Sequence, residues 1–80
     1  PFCDAITKQA LGCIEQAEQF VRSLGVAQVR VRCHGNLARI ETDAADFGAI
    51  VAHRKLISET LKEVGFKFVS LDLDGYRTGR

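Results

Sequence analysis

The chain has 80 residues, 46% of them hydrophobic, which is enough for one small globular domain with a thin core. Eleven basic and ten acidic residues give a formal charge of +1. This balance argues against a general binder of nucleic acids or membrane surfaces, whose charge would be one-sided. The sequence shows no signal peptide and no apolar run long enough to span a bilayer, so it favours a soluble, cytoplasmic protein.

The chain begins at Pro1 and contains no methionine. We therefore interpret residues 1–80 as a single domain excised from a longer protein. Its three cysteines, Cys3, Cys13 and Cys33, are odd in number and lack C-x-x-C spacing. This pattern predicts neither a disulfide framework nor a zinc site, and reduced thiols fit it better. We predict no metal site in these residues.

The first predicted element is an amphipathic helix. Thr7 is a plausible N-cap, and Gly25 ends the apolar periodicity. The residues that recur at helical spacing are Ala10, Leu11, Ile14, Ala17, Phe20 and Val21.

Residues 29–41 predict two strands joined by the turn His34-Gly35-Asn36. Alternation places the apolar side chains on one face, namely Val29, Val31, Cys33, Ala38 and Ile40. The opposite face carries Arg30, Arg32, Leu37, Arg39 and Glu41. Guanidinium groups grip phosphate or carboxylate in bidentate fashion, so three of them on one small sheet suggest an anion site. The alternative is a solvated face with cross-strand arginine–glutamate pairs.

A second helical stretch follows, capped by Thr42 or Asp43 and ended by Gly65, and Gly48 could divide it into two pieces. Its apolar residues are Phe47, Ile50, Val51, Leu56, Ile57, Leu61 and Val64. Residues 66–73 then predict a third strand. Val69, Leu71 and Leu73 alternate there with Phe68, Ser70 and Asp72.

The predicted order α-β-β-α-β describes a small two-layer α/β (α+β) domain. A helix between the second and third strands makes a crossover, so the third strand is expected to run parallel to one neighbour in a three-stranded mixed sheet. Both helices would pack on one face. The open face would carry the arginines, Glu41 and Asp72. Because Leu37 and Phe68 there are awkward in water, this face could close against another domain or subunit.

Three sets of motifs carry a family resemblance: residues 29–41; Ile14-Glu15-x-Ala17-Glu18 with Leu24-Gly25; and residues 64–66 with 71–79. Together they resemble the C-terminal domain of the LarE-type ATP-dependent sacrificial sulfur transferases. The resemblance spans nearly the whole chain. Agreement of several motifs in order and spacing is far more specific than one short pattern.

The resemblance implies a parent enzyme with an N-terminal ATP pyrophosphatase (PP-loop) domain, which adenylylates a substrate carboxylate and depends on ATP and Mg²⁺. A cysteine then gives up its sulfur to form a thiocarboxylate. Well-known members act on a pyridinium dicarboxylate mononucleotide during synthesis of the nickel-pincer cofactor, and tend to form hexamers. The implied partners are the pyrophosphatase domain, a phosphate-bearing nucleotide and further copies of the chain, but neither nucleic acid nor membrane. The domain also resembles the dimerisation domain of GMP synthetase.

The Ser-Gly-Gly-x-Asp-Ser phosphate loop of such enzymes is not found in this sequence, so we expect no cofactor in these residues and no catalysis by them alone. By the family register Cys3 stands where glycine is usual, and the donor cysteine would lie upstream of Pro1. We therefore assign the donor role to none of Cys3, Cys13 and Cys33.

By resemblance, Arg30 and Arg32 fall on the family's phosphate-binding arginines, and Arg39 could join them or support Glu41. Glu18 and Glu41 fall on acidic positions of the sulfur-transfer site, which makes them the candidate catalytic residues. Other interpretations stay open, because Glu18 could be a solvated charge or an i+4 partner of Arg22. Arg39 could likewise form only a cross-strand ion pair.

The two histidines and the C-terminal residues allow further interpretations. His34 lies near enough to the arginines to touch an anion, whereas His53 is expected to be structural or solvent-facing. Residues 75–79 resemble the family's closing motif, which we expect to dock onto the nucleotide-binding half or a neighbouring subunit. A freestanding oligomerisation module would use the same helices and open face. A small RNA- or nucleotide-binding domain would use Phe68 and Tyr76 for stacking, although aromatic residues are few.

Overall fold

The computed structural model describes residues 8–76. In chain order the elements are α1 (Lys8–Ser23), β1 (Val29–His34), β2 (Leu37–Thr42), a 3₁₀ turn (Ala44–Asp46), α2 (Phe47–Ala52), α3 (Arg54–Val64) and β3 (Phe68–Leu71). The predicted small α+β architecture is confirmed, with the second helical stretch present as two helices. Thr7, the predicted cap of the first helix, lies outside the described residues.

The sheet has the order β1-β2-β3, with β2 in the centre. β1 and β2 are antiparallel, and Gly35 supplies the positive φ of 58° in their turn. β2 and β3 are parallel. After β2, the helices α2 and α3 return the chain to the end of the sheet at which β2 begins, and β3 starts there. The predicted mixed sheet is therefore confirmed.

The helices cover one face of the sheet and enclose the hydrophobic core. α1 contacts β1 and α3, and α3 contacts β3. The core side chains from the helices and loops are Cys13, Ala17, Val21, Val26, Ile50, Ile57, Leu61 and Phe66. Those from the sheet are Val29, Val31, Ala38 and Ile40, with Val69 and Leu71 partly buried beside them. Burial of this apolar face is the main favourable term in folding of the domain.

The second helical stretch is divided at His53, so the predicted division at Gly48 is wrong. Gly48 lies inside α2, where glycine lowers helix propensity but leaves the hydrogen bonds intact. His53 has a backbone φ of −104° and ψ of 19°. Its ring Nδ1 lies 2.9 Å from the Ala49 carbonyl, so the side chain competes for the helical acceptor.

Of the two predicted caps, Thr42 is wrong, whereas Asp43 stands at the N-cap position of the 3₁₀ turn. Asp43 precedes the 3₁₀ turn but makes no side-chain cap hydrogen bond. The Thr42 hydroxyl donates instead to the Asp43 carbonyl at 3.1 Å, and Thr42 is fully buried. Local hydrogen bonding to the neighbouring backbone has replaced the cap.

β3 is shorter than the predicted residues 66–73. At its start, the side chain of Phe66 belongs to the core between α3 and β3, and the backbone N–H of Phe66 bonds to the Leu61 carbonyl. At its end, Asp72 opens a turn in which its Oδ1 accepts from Asp74 N–H at 2.9 Å. At both ends of β3, local hydrogen bonds replace the continuation of the strand.

The segment 72–76 runs along the end of β2. Tyr76 N–H donates to the Thr42 carbonyl at 2.8 Å, and Asp72 N–H donates to the Ile40 carbonyl at 2.9 Å. Gly75 has φ 77°, and a Cβ placed there would lie 2.9 Å from the Thr42 carbonyl oxygen. Only glycine fits this approach without displacement. The closing motif therefore docks on β2 as far as Tyr76, while Arg77 to Gly79 lie outside the described residues.

Two findings concern the broad class of the protein. Within residues 8–76, none of the helices combines the length and apolar character that crossing a membrane requires. Cys13 is a free, buried thiol, whereas Cys33 is disulfide-bonded. The expectation of reduced thiols is therefore wrong for Cys33, because an odd number of cysteines without C-x-x-C spacing does not exclude a single disulfide bond.

Candidate anion-binding site

The strand register brings the predicted site residues of β1 and β2 onto one face. Arg30 lies opposite Glu41, and Arg32 lies opposite Arg39. Because side chains alternate along a strand, all four project from the face that the helices leave uncovered, which we call the open face. The alternation read from the sequence therefore places these residues together.

Glu41 is the centre of this arrangement. Although it lies on the open face, it is only 4% exposed. Arg32 Nε donates to its Oε1 at 3.2 Å, and Arg39 Nη2 donates to its Oε2 at 3.1 Å. A buried carboxylate needs such partners because desolvation penalises an uncompensated charge. The predicted cross-strand arginine–glutamate pair is thus present between Arg32 and Glu41.

Asp72 joins the same face, as the strand alternation predicts. Its Oδ2 lies 3.5 Å from Arg39 Nε, an ion-pair distance. That nitrogen is buried and has no aligned hydrogen-bond acceptor among residues 8–76, so the contact is electrostatic rather than a formed hydrogen bond. We call Arg32, Arg39, Glu41 and Asp72 the charged cluster.

Arg30 lies beside the charged cluster but differs from its members in exposure and in ion pairing. It is exposed, and within residues 8–76 it forms no ion pair. Arg32 uses only Nε on Glu41, so its two terminal amino groups have no hydrogen bond to a described residue. Strand geometry separates Arg30 and Arg32 by roughly 7 Å along β1. Neighbouring guanidinium donors are thus available to an anion.

Glu18 lies elsewhere, at the edge of β1. Its Oε2 accepts the backbone N–H of Val31 at 3.0 Å, and its Oε1 lies 3.7 Å from Arg22. The i+4 partnership with Arg22 is therefore present, but the carboxylate is largely buried rather than solvated. Within residues 8–76 Glu18 makes no bond to the charged cluster, and a catalytic role for it stays a prediction.

The far end of the open face is more apolar. The register places His34, Leu37 and Phe68 in one row across the three strands. Phe68 is 63% exposed, Leu37 is half-buried and His34 is exposed. Phe68 therefore gives this end of the open face an exposed aromatic side chain beside the charged row.

Two features of this site are not predicted by the sequence pattern. The first is the burial of Glu41, which depends on two arginine side chains lying over it from adjacent strands. The second is the turn that holds Asp72 in place, for which Asp72-x-Asp74-Gly75 was an available signal. Among residues 8–76, no three His, Cys, Asp or Glu side chains are grouped so that they could hold a metal ion.

A groove on the other side of the sheet carries none of the predicted site residues. It lies between α2, α3 and β3 and has a volume of about 550 Å³. Its lining is mainly apolar, with Arg54, Lys55 and Glu59 among the polar contributors.

Comparison with known proteins gives three relatives that each match most or all of this chain. It is 38% identical over 80 residues to the pyridinium-3,5-bisthiocarboxylic acid mononucleotide synthase of Lactiplantibacillus plantarum. It is 39% identical to an uncharacterized protein of Synechocystis and 36% identical to one of Methanocaldococcus jannaschii, over 82 and 73 residues. No family model matches the chain.

The chain is a LarE-type domain. The likeness to the Lactiplantibacillus synthase covers 100% of the chain, so the family resemblance read from the sequence is confirmed. The LarE-type domain spans only 29 to 31% of the length of these relatives. The activity, substrates and partners of the whole proteins therefore belong to the proposals below.

Proposed function

We propose that this LarE-type domain binds the phosphate group of a mononucleotide substrate in an ATP-dependent sulfur transferase of nickel-pincer cofactor synthesis. The supporting observation is that the guanidinium of Arg30 and the terminal amino groups of Arg32 make no hydrogen bond within residues 8–76 and lie beside a carboxylate that is already ion-paired. Such donors bind phosphate strongly because the hydrogen bonds are charge-assisted. The relative from Lactiplantibacillus, a synthase of a mononucleotide, points to the same ligand class.

In the proposed parent enzyme an N-terminal pyrophosphatase domain uses ATP and Mg²⁺ to adenylylate the substrate carboxylate, and sulfur transfer follows. The domain contributes its open face to a composite site at the C-terminal end of that chain. The exposed Phe68 supports the idea that another domain or subunit covers this face, as expected for a homo-oligomer. The catalytic roles predicted for Glu18 and Glu41 belong to that composite site.

Phosphate binding is tested by titrating the chain with inorganic phosphate and with nicotinic acid mononucleotide, a pyridinium nucleotide. Arg30→Ala or Arg32→Ala should each weaken affinity by about 10-fold, the value of one charge-assisted hydrogen bond. Arg54→Ala is the control, because Arg54 lines the groove on the opposite side of the sheet. Unchanged affinity in both variants, or equal loss in the control, would contradict the proposal.

The parent enzyme is tested by reading the native gene upstream of the codon for Pro1. We expect a phosphate loop of the Ser-Gly-Gly-x-Asp-Ser type and a cysteine within about ten residues of Pro1, a spacing estimated from the motif register. A start codon directly before Pro1 would contradict the sulfur-transferase assignment.

The second candidate function is a freestanding oligomerisation module. The observation in its favour is the exposure of Phe68 and Leu73, which are 63% and 81% exposed. Light scattering separates the two candidates when combined with the phosphate titration. A defined multimer without phosphate affinity would favour the module.

A further inference from the structure

The outer edge of β3, with the groove beside it, is a surface that the proposed phosphate binding does not use. We infer that a second copy of this chain occupies this edge: the two β3 strands pair antiparallel about a two-fold axis, and the two α3 helices lie side by side on the covered side of the sheet. The pairing joins two three-stranded sheets into one. It gives the expected homo-oligomer a contact that is separate from the open face and independent of phosphate.

The two edges of the sheet differ in how they are protected. At the edge of β1, the Glu18 carboxylate accepts the Val31 N–H at 3.0 Å. β3 is the other edge strand, and its sequence Phe-Val-Ser-Leu contains no charged residue. Charged side chains at an edge are a common means of preventing the addition of another strand. The β1 edge is therefore closed by a carboxylate, whereas the β3 edge is open to pairing.

The backbone groups that point outward from β3 belong to Val69 and Leu71. Asp72 N–H donates to the Ile40 carbonyl at 2.9 Å, and the N–H of Phe68, four residues earlier, points to the same side at the start of β2. Alternate residues of a strand direct their N–H and C=O groups to opposite neighbours. The groups of Val69 and Leu71 consequently point away from β2, and no strand within residues 8–76 pairs with them.

An antiparallel register about a two-fold axis satisfies all of these outward groups. With Ser70 on the axis, Val69 of each copy lies opposite Leu71 of the other. Opposite residues whose backbone groups face each other exchange both N–H···O bonds in an antiparallel ladder. The axis also places the helices of both copies on the same side of the joined sheet, so that α3 of one copy runs antiparallel to α3 of the other.

The charges of the groove are self-complementary in this arrangement. Lys55 and Glu59 both line the groove and are exposed, and neither forms an ion pair within residues 8–76. They lie four residues apart on α3. Antiparallel α3 helices related by a two-fold axis therefore bring Lys55 of each copy to Glu59 of the other, since such an interface uses the same patch twice. Ser58, which also lines the groove, has a short side chain that permits the close approach.

The same contact covers apolar surface of the groove. Val51 on α2 lines the groove and is 53% exposed. The apolar lining continues to the sheet through Ile40, Ile50, Ile57, Val69 and Leu71. A second copy supplies an identical apolar wall, and its approach removes this surface from water.

Charge reversal tests this contact specifically. Sedimentation equilibrium of the chain at up to about 1 mM should show dimers, a range chosen because a small interface binds weakly. Lys55→Glu and Glu59→Lys should each raise the Kd of the dimer at least about 10-fold, because each variant places like charges opposite one another at both contacts. An equimolar mixture of the two variants should form heterodimers with a Kd close to that of the unaltered chain, since every contact then joins opposite charges.

Glu15→Lys is the matched control. Glu15 is exposed on α1 and does not line the groove, and its reversal changes the charge as Glu59→Lys does. The control should leave the Kd of the dimer unchanged, and thermal unfolding of each variant checks its fold. A chain that stays monomeric, or single reversals that dimerise like the unaltered chain, would overturn the inference. Titration of the same samples with inorganic phosphate reports the proposed function separately, because retained phosphate affinity without a dimer refutes only the dimer.

Amide hydrogen exchange of the unaltered chain gives a second readout that requires no variant to fold. As the concentration rises, exchange at Val69 and Leu71 should become slower, because their N–H groups gain partners in the dimer. Exchange at Phe68 and Asp72 should change little, since both N–H groups already donate within one chain. A chain that dimerises while exchange at Val69 and Leu71 stays independent of concentration would place the contact on another surface and overturn the inference.

Discussion

The two faces of the sheet are built from alternate residues of the same strands, yet different forces stabilise them. On the helix-covered face Val31, Ala38 and Ile40 are 0 to 3% exposed, and their side chains belong to the hydrophobic core. On the open face Glu41 is the one buried side chain of β1 and β2, and its carboxylate is ion-paired with two arginines. Because successive side chains of a strand point to opposite faces, the same strands are stabilised by apolar burial on one face and by ion pairs on the other.

This difference teaches where stability and binding reside. The covered face loses stability in proportion to the apolar volume removed, whatever the direction of contacts. The open face depends on which nitrogen meets which oxygen, so a change there redistributes donors among the remaining partners. Substitutions on the covered face should therefore alter mainly the free energy of unfolding, whereas those in the charged cluster of the open face should alter both the free energy of unfolding and anion affinity.

The largest effect is expected from Leu61→Ala on α3. Leu61 is fully buried, and its truncation should lower the free energy of unfolding by about 3 kcal/mol through lost transfer energy and a cavity. Leu56→Ala is the matched control on the same helix, since Leu56 is 48% exposed, and it should cost less than about 1 kcal/mol. Urea denaturation measures both. Similar losses in the two variants would mean that α3 does not cover the sheet as described.

Glu41→Ala tests the open face. It leaves two guanidiniums without their shared carboxylate, and we expect a loss of about 2 kcal/mol in the free energy of unfolding. Glu63→Ala is the control on α3, because Glu63 is exposed and should change stability by less than about 0.5 kcal/mol. If Glu41→Ala changes the free energy of unfolding as little as the control does, the charged cluster contributes nothing to folding. The two faces would then differ in amino-acid composition but not in the forces that stabilise them.

Gly75→Ala tests the segment that brings Asp72 to the open face. The added Cβ would meet the Thr42 carbonyl at 2.9 Å at a φ of 77°, so we expect a loss of about 1.5 kcal/mol. Gly35→Ala is the comparison, because Gly35 has φ 58° but a Cβ added there would have no atom within 4 Å. It should lower the free energy of unfolding by about 1 kcal/mol from backbone strain alone. Thermal unfolding of both variants separates steric contact from strain. A larger loss at Gly35 would place the segment 72–76 away from β2.

Hydrophobic periodicity was sufficient to predict the layers of this fold. Strand alternation at residues 29–41 assigned Val31 and Ile40 to the core and Arg30 and Arg32 to the open face, and the crossover rule predicted the parallel β3. These features depend on patterns two to four residues apart, which a single sequence displays directly.

Features that depend on competition between hydrogen-bond partners could not be predicted in this way. The helix division falls at His53 rather than Gly48, where the imidazole and the backbone N–H of His53 share the Ala49 carbonyl. The burial of Glu41 arises because arginines from two strands lie over it. Both depend on side-chain positions that only the assembled sheet defines.

The smallest effect on folding is expected from substitution of Glu18, at the edge of the sheet. Two variants of Glu18 distinguish a structural role from a chemical one. Its carboxylate accepts the Val31 N–H at 3.0 Å, so Glu18→Ala should cost about 1 kcal/mol, the net value of one hydrogen bond. Glu18→Gln keeps an acceptor oxygen and should retain most of this stability. Amide hydrogen exchange at Val31 should accelerate in the alanine variant and stay slow in the glutamine variant.

The glutamine variant then isolates the chemistry predicted for Glu18. If Glu18 acts only by closing the edge of β1, Glu18→Gln in the full sulfur-transferase chain should transfer sulfur at nearly the normal rate. If the carboxylate charge takes part in sulfur transfer, activity should fall by at least about 100-fold while Val31 stays protected from exchange. Faster exchange in both variants would show that Gln cannot replace the hydrogen bond, and the edge contact would then require the charge of Glu18 itself.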